Sequence, residues 1–81
     1  MAHINVKCFG VIRMDSKIAS AAVSATRVAD IYDRINDLIE ADFKIGPDDA
    51  LVYINGERCR SNKTKLNDND EVWLLSPASG G

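Results

Sequence analysis

The residues of this sequence best suited to chemistry are its last six, Ser76-Pro77-Ala78-Ser79-Gly80-Gly81. Gly80 and Gly81 place no side chain beside the α-carboxylate, so a backbone ending in them threads a channel too narrow for any Cβ and presents its carboxyl group end-on. That is the backbone an acyl-activating enzyme requires. Six extended residues reach roughly 20 Å at about 3.3 Å each, enough to enter a partner's active site while the folded part stays outside. Pro77 lacks an amide proton and cannot extend a sheet ladder, so it marks the point where an apolar strand gives way to a polar tail. A Ser/Gly terminus is also what a frayed end looks like, and the residues before it must decide between the two readings. A terminal carboxylate has an ordinary pKa of about 3.3–3.7 and acylates poorly once ionised, so any transfer through Gly81 needs prior activation.

The remaining constellations carry less chemistry. No nucleophile and base pair at a workable spacing, and His3 reads as a surface residue. Asp68, Asp70 and Glu71 lack the twelve-residue loop with a central glycine that calcium sites use, and read as a turn. Cys8, Cys59 and His3 have no metal-site spacing, so no metal is expected. The two cysteines stand far apart and, in a reducing compartment, read as buried free thiols. Asn62-Lys63-Thr64 matches a glycosylation sequon that has no meaning without secretion.

The elements that must position the tail can be read from periodicity. From His3 to Phe9, Ile4, Val6 and Cys8 alternate with Asn5 and Lys7, the pattern of a strand with one wet side. Val11 to Lys17 reads as a loop or turn, with Asp15 and Ser16 favouring chain reversal. Ile18 to Ala25 is open between two structures. Propensity alone runs one helix from Ser16 to Asp42, whereas Val23, Ser24 and Thr26 weigh against it and Thr26 suits an N-cap, so a short strand is placed there. From Arg27 to Ala41, Val28, Ile31, Tyr32, Ile35, Leu38 and Ile39 recur at three- and four-residue steps, predicting an amphipathic helix with Asp30 in its first turn. Residues 45–49 stop that helix. Leu51 to Ile54 is a strand, Asn55-Gly56 a tight turn, and a short partner strand runs through Cys59. Leu66, isolated in polar sequence, plugs the core from a loop, and Glu71 to Leu75 is the last strand. These elements make an α+β domain over residues 1–75, a sheet of four or five strands packed on one main helix, with 76–81 as a flexible tail.

A helix covers one face of a sheet, and the other should be polar. Here it is not. If Val72 and Leu74 point at the helix, Trp73 and Leu75 point away, with Tyr53 beside them, and large apolar side chains on the open face form a docking patch where the tail leaves the body. The opposite facing would make them core residues.

With 81 residues, Lys+Arg 10 and Asp+Glu 12, the chain has a pI near 5.2 and no basic run, which argues against nucleic acid. Charges interrupt every apolar stretch, so no membrane span and no signal peptide are expected and the expected location is the cytoplasm.

Three segments, Val52-Tyr53-Ile54-Asn55-Gly56, Leu66-Asn67-Asp68-Asn69-Asp70-Glu71-Val72 and the closing Ser79-Gly80-Gly81, follow in order and spacing the late part of a known family. The sequence resembles the MoaD/ThiS-like, ubiquitin-related sulfur carriers, and most the type that serves as small subunit of molybdopterin synthase. Val6 to Arg13 resembles that family's first strand and the loop carrying an arginine, and Ala25 to Asp30 its helix start. Asn69 stands at the usual turn glycine, Ser76-Pro77 where relatives have two prolines, and the Ala/Ser-rich second strand is atypical.

The resemblance implies a ubiquitin-like β-grasp with a mixed sheet. It implies that Gly81 is the charged residue, that Gly80, Ser79, Ala78 and Pro77 form the inserted tail, and that Leu75, Trp73, Tyr53, Phe9 and Arg13 bind partners. An adenylating enzyme of the MoeB/ThiF type would use ATP to make a Gly81 acyl-adenylate, and a persulfide would displace AMP to leave a thiocarboxylate. The chain itself would bind no cofactor. Inserted into the large synthase subunit, of MoaE type, the sulfur would pass to a pterin precursor. The protein would then be a cosubstrate or noncatalytic subunit rather than an enzyme. Family members also serve thiamine synthesis, transfer RNA thiolation, tungsten cofactor synthesis and conjugation to lysine. A binding module acting through Trp73 and Leu75 alone is a further reading.

Overall fold

The computed structural model of the chain describes residues 1–40 and 42–77. Strand β1, Ala2–Cys8, buries Ala2, Ile4, Val6 and Cys8 and turns His3 and Asn5 to solvent, as period-two alternation requires. It is an inner strand, between β2 and the central β5, of a five-stranded sheet of order β2-β1-β5-β3-β4, in which β2 is Ser20–Ala25, β3 Leu51–Ile54, β4 Glu57–Cys59 and β5 Glu71–Leu75. β1 pairs antiparallel with β2 and parallel with β5, while β3 pairs antiparallel with both β5 and β4. The sheet is therefore mixed. Helix α2, Val28–Leu38, lies on one face through buried Val28, Ile31, Tyr32 and Ile35, the stripe that its three- and four-residue spacing predicts. The result is the expected α+β grasp of one main helix by five strands.

The core is continuous from α2 to the central strands. Val6, Val28, Ile31, Ile35, Val72 and Leu74 are fully buried, each contributing about 1.5–3 kcal/mol relative to an exposed side chain. Leu66 reaches this core from its polar loop and is only 3% exposed. The same loop serves the start of α2, where Val28 and Ala29 donate their backbone N–H groups to the Thr64 and Asn62 carbonyls at 3.0 and 2.9 Å. Those are amides that a helix cannot satisfy internally.

Two local expectations are corrected. Thr26 does not cap α2; Arg27 occupies the N-cap. The Asp30 carboxylate reaches back to accept from the Arg27 and Thr26 amides at 3.0 and 3.2 Å, while the Thr26 carbonyl accepts from Leu66 N–H at 2.9 Å. The cap thus comes from inside the helix. The stretch expected as a loop from Val11 to Lys17 is instead mostly helix, α1 at Gly10–Ser16, with Ile12 and Ser16 buried at i, i+4. Gly10 enters it at φ +65° and Lys17 leaves it at φ 62°; a left-handed residue just past the last turn is an ordinary helix stop.

The ambiguous Ile18 to Ala25 stretch is a strand from Ser20 onward. Six register pairs with β1, from Ala2↔Ala25 to Lys7↔Ser20, outweigh the helix propensity of alanine. At the other end of the sheet, Asn55 and Gly56 both have positive φ, 51° and 88°, which a two-residue type I′ hairpin turn demands. Asn69, standing where a glycine was expected, takes φ 71°. α2 stops at Leu38, short of the expected limit at Ala41, because Ile39 leaves helical backbone at φ -82°, ψ 118°; Ala41 itself lies outside the described residues. No described helix is long and apolar enough to cross a membrane.

Candidate functional site

The face of the sheet turned away from α2 is where the open-face residues meet. Strand register aligns Lys7 of β1, Trp73 of β5, Tyr53 of β3 and Arg58 of β4 in one row across four strands, and sets Leu75 opposite Leu51 in the next. Val72 and Leu74 are fully buried, whereas Trp73, Leu75 and Tyr53 are half-buried, so the facing read from alternation is the one the fold adopts. Phe9, just past β1 and 37% exposed, packs its ring edge-on against Trp73 with centroids 5.8 Å apart. Tyr53 lies on the other side of Trp73 at 6.3 Å, and the Arg58 guanidinium stands 6.0 Å from the Tyr53 ring centroid, within cation–π range. Three aromatic rings in a row thus form an apolar strip with a cation at one end.

The strip is held by polar contacts as well. The Trp73 indole N–H donates to Glu71 Oε2 at 2.7 Å, and Lys7 Nζ lies 3.2 Å from Glu71 Oε1. The indole bond first, and Lys7 second, hold the Glu71 carboxyl below the ordinary value of 4.5. Bonds that favour the charged form act in this direction. Trp73 is therefore fixed in its rotamer by a carboxylate two residues earlier on the same face.

Strand β5 carries Trp73 and Leu75 and continues directly into Ser76 and Pro77, both half-buried. The Ile12 N–H of α1 donates to Ser76 Oγ at 3.1 Å and the Ser76 hydroxyl donates to the Phe9 carbonyl at 3.3 Å. The exit of the chain from the sheet is thus beside Phe9 and the start of α1. Arg13 is exposed on α1, where Val11 and Met14 are also exposed, at 57% and 75%.

Of the sequence-predicted site residues, the fold brings Phe9, Trp73 and Tyr53 into direct succession and sets Leu75 on the same strand as Trp73. Arg13 is on the adjoining helix, without a described contact to the aromatic strip. Ala78, Ser79, Gly80 and Gly81 lie outside the described residues. Lys7, Glu71, Arg58 and Ser76 were not foreseen as members of the site. Arg58 was reachable from sequence, since a two-residue turn at Asn55-Gly56 puts it opposite Tyr53; the Glu71 and Ser76 contacts depend on rotamers and on long-range packing.

Elsewhere, His3 is exposed, with Nδ1 3.0 Å from Ser24 Oγ. Cys8 is buried and burial raises its pKa above 9.0, disfavouring the thiolate. Cys59 is half-buried, with Sγ 3.3 Å from both the Ser61 carbonyl oxygen and Thr64 Oγ1, its single S–H serving one of them. Both cysteines are free. Among the described residues no group of three or more His, Cys, Asp and Glu stands ready to hold a metal ion.

No curated protein matches the sequence. Among solved structures, small archaeal modifier protein 1 from Methanosarcina acetivorans is 26% identical, with a TM-score of 0.81 over 100% of this chain and 98% of that one. Small archaeal modifier protein 1 of H. volcanii is 20% identical, with a TM-score of 0.77 over 96% of this chain and all of that one. The complex of subunits 1 and 2 of molybdopterin-converting factor from Helicobacter pylori 26695 contains a chain 20% identical, with a TM-score of 0.64 over 98% of this chain and 99% of that one. At such identities the two latter likenesses speak for the ubiquitin-like β-grasp fold alone. The ThiS family matches residues 16–81, which span β2, α2, β3, β4, β5 and the segment that follows. The chain belongs to the ThiS family, within the ubiquitin-like group of sulfur carriers and modifiers.

Proposed function

We propose that this chain is a sulfur carrier charged at Gly81, acting as small subunit of a molybdopterin synthase. The observation that carries the reading is the continuity of β5. Its outward residues Trp73 and Leu75 belong to the aromatic face, and its next residues, Ser76 and Pro77, begin the segment that the ThiS match follows through Gly81. A partner that docks on the face meets the tail at its root.

The Gly81 carboxylate attacks the α-phosphorus of ATP on an adenylating enzyme of the MoeB/ThiF type, releasing pyrophosphate; a persulfide then displaces AMP to give an acyl disulfide, and a thiol cleaves its S–S bond, leaving the thiocarboxylate and a disulfide. The thiocarboxylate sulfur is presented on the slender Ala78-Ser79-Gly80-Gly81 arm to a large synthase subunit of MoaE type, which supplies the catalytic side chains. The chain is then a cosubstrate in the cytoplasm and not an enzyme. A partner of that kind accompanies subunit 1 in the H. pylori complex, to which this chain is similar in fold.

A second reading is favoured by the likeness to the M. acetivorans modifier protein: the same activated Gly81 is handed to a lysine amine on another protein. One experiment separates the two. Thiocarboxylated carrier is mixed with a purified converting-factor large subunit and the pterin precursor, and sulfur in pterin and carrier is followed by mass spectrometry. The synthase reading expects carrier sulfur to appear in the pterin, one for one. Absence of transfer, together with Gly81-dependent lysine adducts in cell extract, would replace it with the modifier reading.

A further inference from the structure

Helix α1 starts without a capping side chain of its own. Its N-cap is Phe9, which has no polar atom to offer, and the third amide of the helix, Ile12 N–H, bonds instead to Ser76 Oγ, 64 residues away in sequence. An N-cap hydroxyl normally serves that amide from within the helix. The same Ser76 hydroxyl donates to the Phe9 carbonyl, and the Phe9 N–H donates to the Leu74 carbonyl at 2.9 Å. Three hydrogen bonds therefore lace residues 9–12 to residues 74–76. Gly10 closes the arrangement from the other side. A Cβ at Gly10 would lie 2.9 Å from Ser76 Oγ and 3.2 Å from Ser76 Cβ, and its φ of +65° disfavours a side chain in any case.

We propose that Ser76 is the positioning residue of the tail: it fixes the root at the start of α1, so that the chain reaches Pro77 at one place on the body. The proposal rests on the reading that the tail enters a partner's active site. A tail with a free root samples many directions, few of which coincide with docking of the aromatic face, and fixing the root removes that search before binding. Because the anchor is also the cap of α1, the exposed Arg13, Val11 and Met14 are held in a constant relation to the exit. A partner that recognises α1 and the aromatic face finds the root of the tail in the same place each time.

The test compares wild type with Ser76→Ala and Ser76→Thr, the latter keeping the hydroxyl. Amide hydrogen exchange at Ile12 is expected to be about 10-fold faster in Ser76→Ala, and the heteronuclear NOE of the Ser76 amide to fall. In charging by the adenylating enzyme, KM for the carrier is expected to rise about 3–10-fold with kcat within twofold, since only the search is affected. Ser76→Thr should restore both. Unchanged Ile12 exchange in Ser76→Ala would overturn the anchor, and a fall in kcat at constant KM would overturn its positioning role. A wild-type chain that is not adenylated at all would refute the sulfur-carrier reading instead, and Ile12 exchange would still decide the anchor.

Discussion

Neighbouring leucines at the end of β5 should behave in opposite ways. Leu74 is fully buried in the core, while Leu75 is half-buried on the open face opposite Leu51. At about 0.05–0.15 kcal/mol per residue, a domain of this length has about 4–12 kcal/mol of stability in total. Leu74→Ala removes a core side chain and costs about 2–5 kcal/mol, a large share of that total. At roughly 4–8 °C per kcal/mol, the melting temperature should fall by about 8 °C or more. Leu75→Asp costs about 1 kcal/mol, because its side chain leaves no cavity and its new charge stays at the solvent boundary. Urea unfolding followed by Trp73 fluorescence gives both values. Calorimetric titration with the adenylating enzyme supplies the other half of the comparison, and Leu75→Asp should weaken docking at least tenfold in a domain that remains folded. If Leu75→Asp proves as destabilising as Leu74→Ala, or docks like wild type, the open face is not the docking surface.

Three further outcomes are expected. The Tyr32 hydroxyl is buried with no hydrogen-bond partner among the described residues, so Tyr32→Phe should leave stability unchanged or raise it by about 1 kcal/mol, and a loss larger than that in urea unfolding would contradict the assignment. Burial first, then the charges of Cys59, Asp48 and Asp49, raise the Tyr32 pKa above 10.0; its stabilising contribution is full below the unfolded value and lost as pH rises through the folded one, so Tyr32→Phe should unfold at higher alkaline pH than wild type. Glu71 has the opposite sign: its carboxylate contact to Trp73 is present above the ordinary 4.5 and is lost as pH falls through the lowered folded value. Trp73 is the lone tryptophan, so its fluorescence should change with a midpoint below 4.5 that Glu71→Gln removes, and a midpoint at or above 4.5 would contradict the contact.

Most of the framework was legible because it is written in periodicity. Alternation in β1 and β5, the three- and four-residue spacing of α2 and the Asn55-Gly56 turn each act within a few residues, and together they fix which face of β5 looks outward. Helix α1 was not legible for the opposite reason. Its start depends on Ser76, whose nearness to Gly10 exists only after β1 and β5 have paired in parallel. β2 shows the same dependence, since Ser20–Ala25 has the composition of a helix and is held as a strand by its ladder to β1. In the candidate site, Trp73, Tyr53 and Phe9 followed from facing and resemblance, whereas Lys7 and Glu71 joined them through side-chain geometry that no spacing rule reports. Thr26 shows how a favourable cap residue is displaced when the Thr64 and Asn62 carbonyls take the Val28 and Ala29 amides and the Asp30 carboxylate takes those of Thr26 and Arg27.

The account turns on Gly81 being the atom group that a partner activates, and intact-mass analysis reads this most directly. The chain is coexpressed with a MoeB/ThiF-type adenylating enzyme, purified, and weighed before and after alkylation. A mass gain equal to sulfur for oxygen, alkylatable and absent when Gly81 is deleted, is the predicted result. An unmodified mass in wild type, or the same gain in the Gly81 deletion, would contradict it.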